Sequence, residues 1–269
     1  MPHLDVISWT SIIAAFVESP GEALELLRAM GATGTKANAV TLSKVLSICS
    51  ELRRLTPGRE LHSVAVRNGL DGNSFVVIST ALVLVYTRCG ELELSRRIFS
   101  AIPQKDTVAW NTMIMANSTH GHGEEALALF REMVGSGLRP NSVTFVAALS
   151  GCSHSNLVEE GRKVFDSMLN DHGVVPDADH HSCMVDILSR AGLLHEAHEF
   201  IQKMSLKPTA GAWGALLAGC RVYKNVELGK TAARRLFEIE PDNPGNYVLL
   251  SNIFGPPSCG TMLQRSGRS

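Results

Sequence analysis

Three tryptophans constrain this 269-residue chain more than any other feature. Trp9, Trp110 and Trp213 stand in the similar segments DVISWTSII, DTVAWNTMI and TAGAWGALL, 101 and 103 residues apart. Each interval divides again into three, giving units at 6–38, 39–73, 74–106, 107–141, 142–177 and 178–209, and a further segment opens at 210. Lengths of 32 to 36 residues are those of a stacked two-helix unit. Within 107–141, Ala126, Leu129, Phe130 and Met133 fall at i, i+3, i+4 and i+7, the apolar stripe of an amphipathic helix, and Gly135, Gly137 and Pro140 end it. No such unit covers its apolar face alone, so stability must come from neighbours. The expected fold is all-α, a right-handed superhelical solenoid of helix-turn-helix repeats with a concave inner surface.

Composition excludes several classes of function. With 45% hydrophobic and 19% charged residues the chain can bury a large apolar surface, and no apolar run is long enough to span a bilayer. A net charge of −1 argues against a binder led by phosphate contacts, but not against a groove that reads bases. The six cysteines are scattered without a Cys-x-x-Cys pair and read as reduced, buried small hydrophobes. A nucleobase deaminase needs His-x-Glu and Cys-x-x-Cys for its zinc site, and neither occurs. HEAHE at 195–199 spaces its histidines three apart and reads as an ordinary helix, while His120 and His122 flank Gly121 in a turn. No enzyme activity, metal or cofactor is expected.

The unit 107–141, with VAWNTMI followed by HGHGEEALALFREMVGSGLRPN, resembles a P unit of the plant pentatricopeptide repeat proteins of the P-L-S class. VTFVAALSGCSHSNLVEEGRKVFDSMLNDHGVVPD resembles a long L unit, and CMVDILSRAGLLHEAHEFIQKMSLKPT a short S unit. By the same likeness 6–38 is a P unit, 39–73 an L unit, 74–106 an S unit, 107–141 P, 142–177 L and 178–209 S. Residues 1–5 resemble the close of a preceding S unit. Residues 210–254 resemble a partial E extension, and 255–269 leave the pattern as a tail expected to be disordered. On this reading the chain is truncated at both ends, with any transit peptide absent from it.

The resemblance implies that each unit reads one base of single-stranded RNA. Its fifth and last residues bond the Watson–Crick edge and its second packs on the base face. It assigns Thr10 with Asn38, Ser43 with Asn73, Thr80 with Asp106, Asn111 with Asn141, Val146 with Asp177, and Ser182 with Thr209. Thr with Asn would favour adenine, Thr with Asp guanine, and Asn with Asn a pyrimidine. Thr80 is preferred to Ile78 because it keeps register with Tyr86. Ile7, Val40, Val77, Val108 and Val143 would pack on bases, and Asp179 departs from that pattern. The polar residues also stand where helix caps form, so base reading and capping both remain open. Arg53-Arg54, Arg96-Arg97 and Arg234-Arg235 are either phosphate contacts or solvated pairs.

The same resemblance implies a mitochondrial or chloroplast factor, the mitochondrion preferred, that marks a site for C-to-U RNA editing. A DYW-type deaminase and other editing factors would act in trans. A tetratricopeptide-like protein-binding scaffold, or a non-functional truncated product, are the alternatives.

Overall fold

A computed structural model describes residues 4–16, 18–67, 72–243 and 245. Residues 1–3, most of 244–254 and the off-pattern tail 255–269 lie outside the described residues. Those described contain fourteen α-helices and no strand. In chain order they are α1 (Val6–Ala15), α2 (Pro20–Ala32), α3 (Ala39–Glu51), α4 (Leu55–Arg67), α5 (Gly72–Arg88), α6 (Leu92–Ala101), α7 (Thr107–Thr119) and α8 (Gly123–Gly135). There follow α9 (Ser142–His154), α10 (Val158–Asn170), α11 (Ala178–Arg190), α12 (Leu194–Lys203), α13 (Ala210–Val222) and α14 (Val226–Ile239). They form two compact units that meet in sequence between Pro140 and Asn141.

In the first unit α1, α3, α5 and α7 pack successively in a row, and α2, α4 and α6 each pack on their own first helix and on the next. The second unit repeats this with α9, α11 and α13 in the row and α10 and α12 against it. The fold is therefore the all-α helical-hairpin repeat that the period predicts. Trp9, Trp110 and Trp213 are buried in these stacks, and Trp110 meets Phe99 edge to face at 5.1 Å. Cys49, Cys152 and Cys220 are buried free thiols.

A shared grammar starts and stops the first helices. Their N-caps are Asp5, Asn38, Asp106, Asn141, Asp177 and Thr209, each accepting a backbone N–H with its side chain. Asn38 to Arg53, Asp106 to Gly121, Asn141 to Asn156, Asp177 to Gly192, and Thr209 to Lys224 are each fifteen residues. All five end points, with Gly90, have positive φ, between 50° and 84°. At each the next N–H closes back on the helix, as Arg54 N does on the Cys49 carbonyl (2.9 Å) and Leu193 N on the Leu188 carbonyl (2.9 Å). This is the Schellman ending, which turns the chain into the second helix.

Twenty residues after the cap stands a small buried residue: Gly58, Ala126, Gly161, Ala197 and Gly229, with Ser95 in the same place of α6. A Cβ at Gly58 would fall 2.6 Å from Val85 Cγ1, and one at Gly161 would fall 2.8 Å from Ile187 Cδ1. Ser95 Oγ instead donates to the Val83 carbonyl at 3.1 Å. At Gly58 and Gly161 the second helix thus lies so near the first-helix row that even a Cβ would crowd it. Two expectations follow from these contacts. Gly161→Val should lower stability by about 1–3 kcal/mol through overpacking. Lys224→Gly, which relieves a left-handed residue bearing a side chain, should raise it by about 0.5–1 kcal/mol; urea unfolding measures both.

Candidate nucleic-acid interface

The shared start places the residues of interest. The last residue of each unit is the N-cap of the next first helix. Asn38 Oδ1 accepts from Thr41 N (2.9 Å), Asp106 Oδ1 from Ala109 N (2.8 Å), Asn141 Oδ1 from Thr144 N (3.0 Å) and Thr209 Oγ1 from Ala212 N (3.3 Å). Asp177 Oδ1 accepts from Asp179 N (3.0 Å) and His180 N (3.3 Å). Capping is thus made at each of these places, and it fixes the side chain at the mouth of the helix row. Asn73 differs. It lies inside α5, which begins at Gly72, and its side chain is outside the described residues.

The second residues of the first five units are exposed apolar side chains. Ile7, Val40, Val77, Val108 and Val143 are 77%, 54%, 44%, 61% and 56% exposed. Scattered exposed apolar residues are ordinary, but in the first unit Ile7, Val40, Val77 and Val108 repeat at one place of successive helices and make a row that a ligand could cover; Val143 holds the same place in α9 of the second unit. Asp179 is exposed at the same place of α11.

Three places on in each helix are the fifth residues. Thr80 precedes its positive-φ residue, Gly90, by ten positions, as Ser43 does Arg53, Val146 does Asn156 and Ser182 does Gly192. Ile78 is fully buried, and the Thr80 hydroxyl is buried without a hydrogen-bond partner. Asn111 is almost entirely buried. Ser43 Oγ donates to the Val40 carbonyl at 3.0 Å.

Two assigned pairs are joined directly or through one hydroxyl. Ser182 Oγ lies 3.0 Å from Thr209 Oγ1. Thr10 Oγ1 lies 2.8 Å from Thr41 Oγ1, which donates to Asn38 Oδ1 at 3.0 Å. A third pair is half apolar. Val146 offers no hydrogen bond, and both oxygens of Asp177 have partners: Ser142 Oγ donates to Oδ2 (3.0 Å), which keeps a second lone pair, and the His180 ring lies 2.6 Å from Oδ1. His180 is fully buried, its other ring nitrogen 3.0 Å from the Ser142 carbonyl.

Thr41, Thr144 and His180, third in their helices, escaped the sequence reading. Their signal was the capping-box spacing, a polar residue three places after an Asn or Asp cap. Of the arginine pairs, Arg96 is tied to Glu93 (3.1 Å) and Asn117 (2.7 Å), and Arg235 to Glu238 (3.0 Å). Among the described residues no three His, Cys, Asp or Glu side chains gather as a metal site would require, and no helix is long and apolar enough to cross a membrane. His198 of the HEAHE segment packs near Trp213, ring centroids 6.2 Å apart.

Helical hairpins in register, most of them presenting an exposed apolar residue and a capping polar one, define a solenoid-forming repeat protein. Residues 105–154 match the PPR repeat family, 143–172 and 180–207 the PPR repeat, and 223–261 the E motif. The chloroplastic pentatricopeptide repeat-containing protein CRR2 of Arabidopsis thaliana is 42% identical over 94% of this chain and 39% of its own length. A mitochondrial pentatricopeptide repeat-containing protein of the same plant is 43% identical over 96% of this chain and 46% of its own. The chain therefore spans less than half the length of these relatives. The crystal structure of the pentatricopeptide repeat protein PPR10 in complex with an 18-nt psaJ RNA element superposes with a TM-score of 0.60 at 17% identity, over 94% of this chain and 43% of that one. That of PPR10 from maize gives 0.53 at the same identity, over 94% and 42%. At that identity the likeness is one of fold. The chain belongs to the pentatricopeptide repeat family and carries the E motif.

Burial works to raise the Asp177 carboxyl, but the His180 backbone N–H, the Ser142 hydroxyl and the His180 ring outweigh it and hold the group below the ordinary carboxylate range. A carboxylate whose pKa is lowered by folding stabilises the fold above its unfolded value, and that contribution is lost as pH falls through the folded value. Asp177→Asn is therefore expected to lower the melting temperature at neutral pH, and the difference from the parent should close below about pH 4.

Proposed function

We propose that this chain binds single-stranded RNA sequence-specifically, one base to a unit, as a site-recognition factor for C-to-U editing in an organelle, with a deaminase supplied in trans. The observation that carries the reading is the exposed β-branched residue at one place of four successive first helices, Ile7, Val40, Val77 and Val108, each followed three places on by a polar residue, Thr10, Ser43, Thr80 and Asn111. A base laid on Val77 or Val108 would cover apolar surface that water now touches, and its edge would meet the polar residues. A protein-binding groove has no need of that repeating apolar-then-polar order.

The chemistry of the pairs fits the assignments. Asp106 caps through Oδ1, which leaves Oδ2 to accept from the N1–H and N2–H₂ donors of guanine, beside Thr80. Asn38 offers its amide N–H₂ to N1 of adenine, beside Thr10. Of Val146 with Asp177, only the Asp177 carboxylate can bond a base edge, through Oδ2, so that unit discriminates least. A near-neutral chain suits recognition led by bases. The E motif and the chloroplastic and mitochondrial names among the relatives support the editing role and the organelle.

The test is binding of the purified chain to short RNAs carrying an A-x-G core, with the underlying bases varied singly. Asp106→Asn, which turns an acceptor into a donor, should move the preference at the third base from guanine towards adenine by about tenfold, or ~1.4 kcal/mol. Equal affinity for every RNA, unaltered in the variant, would defeat the reading.

A further inference from the structure

Thr41 is assigned no part in base recognition by its place, yet it touches both residues of the first assigned pair. It is fully buried and third in α3. Its backbone N–H and its hydroxyl both donate to Asn38 Oδ1, at 2.9 and 3.0 Å. An N–H can donate only to the oxygen of an amide, so this contact fixes which way the Asn38 amide points. With both lone pairs of Oδ1 taken, what Asn38 has left for a ligand is its N–H₂ group, a donor.

The Thr10 hydroxyl lies 2.8 Å from Thr41 Oγ1 and 2.7 Å from the Val6 carbonyl. Thr41 has one hydroxyl hydrogen, and it goes to Asn38, so towards Thr10 the Thr41 oxygen is an acceptor. The Thr10 hydrogen is drawn inward by either neighbour, which leaves its oxygen lone pair for a ligand. The pair thus presents an acceptor beside a donor, and the buried hydroxyl between them sets that polarity.

Bases sort by the same two atoms. Adenine offers an amino donor beside the N1 acceptor, and cytosine an amino donor beside N3. Guanine and uracil offer a carbonyl acceptor beside an N–H donor, opposed at both atoms. We infer that Thr41 is a positioning residue that makes the 6–38 unit select amino-bearing bases against keto-bearing ones. The inference rests on the RNA-reading proposal above.

Alanine occupies the same third place in α7 and α13, as Ala109 and Ala212, so the fold accommodates it. In Thr41→Ala the backbone cap persists, but Asn38 Oδ1 regains a lone pair and Thr10 loses an acceptor. The experiment measures binding of the full chain to RNAs that differ only at the base under 6–38 (A, C, G or U), with Thr41→Ala, Thr41→Ser and Asn38→Asp. The expected result is a preference for A and C over G and U that falls about fivefold in Thr41→Ala and is restored in Thr41→Ser, with guanine preference at the 74–106 unit unchanged. If Thr41→Ala weakens all RNAs equally, Thr41 is merely structural and the inference is overturned while the RNA reading stands. If Asn38→Asp leaves base preference unmoved as well, the reading fails and this inference with it.

Discussion

The stack depends on one steric constraint, the contact of each second helix with the first-helix row at a residue too small to keep them apart. At Gly58 and Gly161 even a methyl group would intrude on Val85 or Ile187. At the same place of α6, Ser95 turns the contact into hydrogen bonds, accepting from Thr87 Oγ1 (3.0 Å) and donating to the Val83 carbonyl. Dispersion between close-packed helices is individually weak and summed over such contacts large, so this one position governs how near the next hairpin can come. Spacing between hairpins is in turn the spacing of whatever the first helices display. Outer ion pairs such as Arg28 with Glu60 and Arg162 with Glu196 also link successive second helices, but exposed pairs of this kind add little energy.

The polar residues at the starts of the first helices serve the fold first, and in the proposed reading the ligand as well. A side-chain oxygen accepts an N–H that the helix leaves unpaired, and the remaining atoms of the same side chain would meet the base. Capping and recognition are therefore not rivals at these positions. The cap holds the group still, which lowers the entropy a ligand contact would otherwise have to overcome.

Most of the architecture was legible because it is periodic. Three tryptophans, glycines at several helix ends and apolar stripes at helical spacing are local signals that agree with one another, and the fourteen helices pair as hairpins as those signals predict. The exceptions were of two kinds. At α5 the chain has two extra residues and no capping residue at the usual place, so the helix begins earlier, at Gly72. That propagation depends on energies no pattern encodes. The other is the third-place polar residues. Thr41 and His180 look like any core or cap position until their partners are known, because a buried hydroxyl or imidazole declares its role only through what it bonds. Half of the left-handed endings also lack glycine, at Arg53, Asn156 and Lys224, where tertiary packing overrides local preference.

The caps have a consequence for what such an array can be made to distinguish. Only Asn, Asp, Ser, Thr and, less well, Gly terminate a helix at this position without a stability cost of about 1 kcal/mol. A longer side chain with richer hydrogen bonding, such as Gln, Arg or Lys, would hold more information about a ligand but would unsettle the helix that presents it. The vocabulary of a first-helix array is thus limited by the thermodynamics of helix initiation, and finer discrimination has to come from buried neighbours that decide how a short side chain is turned.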